Sequence, residues 1–135
     1  MKSQMKAHMI MVLTSLALLL GTESFSYAQE VKGPTQFTLA ILADHDVSFV
    51  VPSALIVDER GQVSGLTLTV TNHTKKEQGF AIDKLRVKEV IKPGDTKTIK
   101  LSVTDLDAIG TDQSVLPYYS QLDKKHIGGL LYIKR

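Results

Sequence analysis

The stretch GLTLTVTN, Gly65–Asn72, alternates along its whole length: Leu66, Leu68 and Val70 fall on one side, Thr67, Thr69 and Thr71 on the other. A period of two is the pattern of a strand with one face in a core and the other toward water. TKTIKLSV, residues 96–103, repeats it, with Ile99, Leu101 and Val103 inward and Lys100 and Ser102 outward.

Outward from this pair, QFTLAIL (36–42), SALIVD (53–58), GFAID (79–83), RVKEVI (86–91) and GGLLYIK (128–134) are further short strands, several rich in β-branched side chains. Turn chemistry separates them: DERGQ at 58–62, NHTKKEQG at 72–79 and KPGD at 92–95, where Pro93 and Gly94 suit a tight turn. Only TDLDAIGTDQ, residues 104–113, has the makings of a helical turn. About seven short strands in roughly a hundred residues predict an all-β protein, a two-sheet antiparallel sandwich.

The chain of 135 residues begins differently. Lys2 and Lys6 precede an apolar run, Met9–Gly21, and small side chains follow at Ser26 and Ala28. This is the layout of a secretory signal cleaved after Ala28. The run falls short of the ~20 residues that a membrane span needs. The expected organisation is therefore a signal at 1–28, a polar lead at 29–36 and one domain at 37–135.

Without the signal the chain keeps 14 basic and 13 acidic residues, so its net charge is close to zero. No basic tract or aromatic-studded basic face points to nucleic acid. There is no cysteine at all. That excludes disulfides, thiolate chemistry and a lipid-anchored lipoprotein, and leaves packing to stabilise the fold.

The segment from Thr67 to Leu101 resembles a cupredoxin: a strand ending in Asn72, a loop, a step like His-Gly-Phe at Gln78-Gly79-Phe80, and the Pro93-Gly94 turn before the next strand. FVVPSALIV (49–57) resembles the family's Phe-x-Pro-x-x-Ile-x-Val segment, with one extra residue between Phe49 and Pro52. YYSQLDKKHIGGLLYI (118–133) is similar to its ligand loop, Tyr-x-Cys-x-x-His-x-x-His-Ile-Gly-Gly. The likeness runs from about Phe37 to Lys134 and implies a Greek-key sandwich of the cupredoxin type.

The resemblance also implies where copper ligands would stand. The first histidine falls at Gln78, the cysteine at Ser120 and the next histidine at Asp123; only His126 is retained. A blue copper centre takes two imidazoles and a thiolate. An amide, a neutral hydroxyl and a hard carboxylate do not replace them. The frame is thus expected without the blue site, as a vestigial set of positions, because a sandwich of this size folds on its apolar faces and does not require a metal.

Other polar residues have plainer readings beside sharper ones. His126 is either a backbone-bonded loop histidine or a residual metal ligand. Asp44, His45 and Asp46 are adjacent, which favours a solvated turn over convergence on one ion. His73 precedes Gln78 and is a candidate to face the same end as His126. Asn72 begins an Asn-His-Thr sequon, but its expected role is to tie its loop to backbone. Of Tyr118 and Tyr119, alternation sends one inward and one outward. Ser120, Asp123 and His126 invite the idea of a catalytic triad, yet no oxyanion turn or nucleophile elbow accompanies them, so no enzyme is expected.

These readings converge on an exported, periplasmic or secreted, cupredoxin-like binding or accessory module with no blue copper site. No cofactor is expected; the reading leaves room for a protein partner of unknown identity, with no nucleic acid and no membrane insertion once the signal is removed. The alternative is a periplasmic copper-binding protein that uses His126 and Asp123 for storage or delivery, with His73 a candidate third donor.

Overall fold

Nine strands and one short helix appear in the computed structural model, which describes residues 35–60 and 64–135. The expected signal at 1–28 and most of the lead at 29–36 lie outside the described residues. In chain order the elements are β1 (Gln36–Asp44), β2 (Val47–Val51), β3 (Ala54–Asp58), β4 (Leu66–Asn72), β5 (Gln78–Ile82), β6 (Val87–Ile91), β7 (Thr96–Leu101), α1 (Val103–Asp107), β8 (Val115–Tyr118) and β9 (Gly129–Lys134).

The alternation read at β4 holds: Leu66, Leu68 and Val70 are buried and the intervening threonines are half-buried. β4 lies between β1 and β7 in a four-stranded sheet of order β2-β1-β4-β7. Its register sets Leu68 beside Phe37 on β1 and Ile99 on β7, so each strand contributes to the same apolar face. The second sheet has the order β3-β9-β8. The β5-β6 pair extends it: Ala81 and Tyr119 exchange backbone hydrogen bonds of 2.8 and 3.1 Å between β5 and the end of β8. Leu55, Val57, Phe80, Leu116, Leu131 and Ile133 face the first sheet from this side, and the two faces form one core.

The sandwich is all-β as the pattern implies, but its pairing is mixed: β1 runs parallel to β4, and β3 parallel to β9. The cause is the path of the chain. It crosses at Pro52-Ser53 from β2 in one sheet to β3 in the other, and returns for β4. Strands that meet after such crossovers need not be antiparallel, whereas those joined directly, such as β1-β2 and β5-β6, are.

Three local departures have identifiable causes. Val103 is not on β7; the strand stops at Leu101 because Ser102 caps α1, its hydroxyl accepting from the Asp105 N–H while the Asp105 carboxylate accepts from the Ser102 N–H. Arg86 precedes β6 instead of opening it, in a left-handed conformation after a single 3-10 turn. β2 and β8 are additional strands; Pro117 lies within β8, where a proline usually argues against a strand.

The outer face of the second sheet is apolar. Ile56, Tyr132 and Val115 form one row across β3, β9 and β8, and Ala54, Leu130 and Pro117 form the next. All six are exposed, Ile56 at 62 %. Among the described residues no helix is long and apolar enough to cross a membrane.

Candidate functional site

At one end of the sandwich the loop between β8 and β9 folds back over β2 and β5. Its course is fixed by close backbone contact. The Ile127 N–H donates to the Ser48 carbonyl (2.8 Å), and the Val50 N–H donates to the Ile127 carbonyl (3.2 Å). Gly128 and Gly129 are required here, because a side chain at either would run into Tyr118, at its carbonyl for Gly128 and at its ring for Gly129. Tyr118 itself points into the core against Phe80, with ring centroids 5.7 Å apart, and its hydroxyl donates to the Pro52 carbonyl. Burial pushes that phenol up to about 12. Tyr119 turns the other way and donates to the Asp83 carboxylate at 2.9 Å.

The four positions singled out in the sequence meet at this end. The Ser120 hydroxyl accepts from the Gly79 N–H at 3.0 Å and lies 3.4 Å from the Gln78 amide oxygen. Gln78 is buried, and Asp123 and His126 are partly buried beside it. What joins them is a residue the sequence reading passed over. Ser48, on β2 and only 2 % exposed, has its Oγ 2.7 Å from Asp123 Oδ2, 2.9 Å from His126 Nδ1 and 3.4 Å from Gln78 Oε1. Its signal was available: with Val50 it occupies the buried side of β2, a polar side chain on a core-facing position.

A hydroxyl carries one proton. The shortest contact, to an ionised carboxylate, takes it, so Ser48 donates to Asp123 and accepts from the Nδ1–H of a neutral His126. The ordering runs His126 to Ser48 to Asp123, with charge only at the carboxylate. The electrostatics agree. The Ser48 hydroxyl, then the Lys125 N–H, hold Asp123 below its usual range. Burial pushes His126 down from the usual 6.5, against an opposing pull from Asp123. His126 Nε2 is buried and has no hydrogen-bond partner among the described residues.

The remaining candidates separate. Asp44, His45 and Asp46 are exposed in the β1–β2 turn; His45 pairs with its neighbour Asp44 at 2.8 Å, and Asp46 faces Lys125 at 3.7 Å. His73 is exposed on the wall of a cleft of about 430 Å³, which His45, Asp46, Ser48, Gln78 and Asp123 also line. Among the described residues no three His, Cys, Asp or Glu side chains are grouped to hold a metal ion. Asn72 ties its loop as expected. Its amide donates to the Lys76 and Ile91 carbonyls, both at 2.8 Å, and its carbonyl accepts from the Thr74 N–H and hydroxyl.

The donor set at the loop end does not fit a type 1 copper centre. The chain has no thiolate to give, and the one histidine present points its Nδ1 at a serine hydroxyl. A triad of Ser120, Asp123 and His126 is not assembled either, since the hydroxyl between the acid and the imidazole belongs to Ser48.

No protein-family model matches the chain. Among solved structures, the azurin Az-iso2 of Methylomonas sp. strain J superposes with a TM-score of 0.52 at 12 % identity, over 76 % of this chain and all of that one. A purple cupredoxin of Nitrosopumilus maritimus matches at a TM-score of 0.48 and 15 % identity, over 72 % of this chain and 98 % of its own. The azurin likeness shows the fold, which is cupredoxin-like. Of curated sequences, a 3-hydroxyacyl-[acyl-carrier-protein] dehydratase of Clostridioides difficile (strain 630) is 39 % identical over 59 residues, 42 % of each chain. The chain therefore spans well under half of that relative, and a match of this extent assigns no family.

Proposed function

We propose that this chain is an exported cupredoxin-like module that works by binding, as an accessory to another protein, and does not carry electrons on a type 1 copper. One observation carries the reading. At the end of the sandwich where the resemblance puts a metal, Gln78, Ser120, Asp123 and His126 are engaged in hydrogen bonds around Ser48. The cluster ties its members to one another, His126 Nε2 apart, and offers no type 1 ligand set. The apolar rows on the outer face of the second sheet support a binding role, as contiguous exposed apolar surface commonly does. The basic start, apolar run and small residues before Gln29 support export to the periplasm or medium.

A second reading draws on the same geometry. Asp123 Oδ2 and His126 Nδ1 flank one hydroxyl and are a pair that could take Cu(II) for storage or delivery. Copper titration followed by electron paramagnetic resonance separates the two. The binding-module reading expects Cu(II) affinity no tighter than scattered surface imidazoles give, unchanged in His126→Ala and Asp123→Ala. One tight equivalent with nitrogen and oxygen ligation, lost in either variant, overturns it in favour of the second. The intact mass of native protein tests export, with Gln29 as the expected first residue.

A further inference from the structure

We propose that Ser48 is the residue that closes this end of the sandwich to a metal, its hydroxyl engaging the side chains at three of the four ligand positions. The inference rests on the reading that Gln78, Ser120, Asp123 and His126 stand at the ligand positions, and it adds a residue to which that resemblance did not point. The geometry is direct. Ser48 Oγ lies 2.7, 2.9 and 3.4 Å from side-chain atoms of Asp123, His126 and Gln78. An ion bonded to nitrogen and oxygen donors sits about 2.0–2.2 Å from each. An ion that took these three atoms as ligands would have to displace the contacts the hydroxyl already makes with them.

Ser48 does not yield that place easily. Its strand pairs with β1, Ser48 opposite Ala43, and the ligand-type loop grips its carbonyl through the Ile127 N–H. Turning the hydroxyl away would leave the Asp123 carboxylate and the His126 Nδ1–H without their shared partner in a half-buried setting, which is costly. Replacing the ligands alone removes the carboxylate and the amide but leaves the hydroxyl on β2 beside His126 Nδ1, still able to occupy that donor. Copper is thus opposed twice, by substitution at three ligand positions and by a hydroxyl bonded to the retained His126.

The test compares two variants of the exported chain. One carries Gln78→His, Ser120→Cys and Asp123→His; the other carries these with Ser48→Ala. Both are first checked for cooperative melting. Ser48→Ala is expected to strengthen Cu(II) binding about tenfold or more, the scale on which groups surrounding a metal act. It is also expected to bring up intense thiolate-to-copper absorption. Equal affinity and equally intense thiolate-to-copper absorption in the two variants overturn the role of Ser48 and leave the ligand-position reading standing. Folded proteins that both stay colourless with copper overturn both. Should the multiple variants not fold, Ser48→Ala alone decides. The ring nitrogen resonances of His126 must then shift, because Nδ1 loses its partner, and unmoved resonances overturn the proposal.

Discussion

Leu68 on the β4–β7 ladder and Ser48 in its cluster are equally hidden from water, and they are held by opposite means. Leu68 is fully buried against apolar neighbours, and its contribution grows with the area that the two sheets remove from solvent. Ser48 is buried to the same degree among an amide, a carboxylate and an imidazole. A buried polar group is stable only while its partners stay in place, so the value of each member depends on all the others. The ladder tolerates variation on its outer face, because the threonines there are half-buried beside short or polar neighbours such as Gln36, Thr98 and Lys100. The cluster ties β2, β5 and the β8–β9 loop to a single hydroxyl, and a change at any member is felt by the rest.

The largest effect should come from the ladder. Leu68→Ala removes most of a side chain packed between β1 and β7 and should cost about 2–5 kcal/mol, read as a lowered denaturant midpoint. Thr69→Ala lies on the opposite face, opposite Thr98, and should cost well under about 1 kcal/mol. Coincident midpoints for the two variants would mean that the two faces of β4 do not differ as described.

An intermediate effect belongs to the polar side of the comparison. Asn72 bridges the start of its loop to Lys76 and to Ile91 on β6 with two donated bonds, and takes two more from Thr74. Asn72→Ala takes the partner from the Thr74 N–H and a donor from the Ile91 carbonyl in a buried setting and should cost about 1–3 kcal/mol. The Thr74 amide should lose its protection from hydrogen exchange at the same time. A loss of stability with Thr74 protection unchanged would locate the cost elsewhere than in this loop.

What could be read in advance follows the same division. Leu66, Leu68, Val70, Ile99 and Leu101 announce their burial because apolar periodicity is a property of a single strand. The approach of Gln78, Ser120, Asp123 and His126 was legible only through the resemblance, since their separation along the chain says nothing about distance. Ser48 was missed because one serine in an apolar run carries weight only when the strand's inward side is known. The parallel pairings were hidden for a related reason: pairing depends on where the chain changes sheets, and Pro52-Ser53 marks a break without giving its consequence. The end of β7 was legible after all, in the capping pattern from Ser102 to Asp105, which outweighs the apolar spacing of Val103.

The smallest effect is one of pH, and it belongs to the cluster alone. Burial holds His126 below 6.5, so the unfolded chain takes up a proton at that position before the folded one does. The stability that neutral His126 contributes is complete above 6.5, declines as pH falls from there to the depressed folded value, and is constant below it. Asp123, held low by Ser48, loses its contribution only in stronger acid, as pH falls through its folded value. Glu59, raised by burial against the pull of Arg135, works in the opposite sense and gains stability near its raised value as pH falls. The whole-protein curve mixes these signs, so the informative quantity is a difference. Between pH 8 and pH 5 the native chain should lose more stability than His126→Gln does, measured by urea midpoints at each pH. Leu68→Ala should lower stability by the same amount throughout that window, since nothing that titrates contributes to its packing. Parallel curves for the native chain and His126→Gln would mean that the imidazole is not held neutral by its surroundings, and the ordering from His126 through Ser48 to Asp123 would then be wrong.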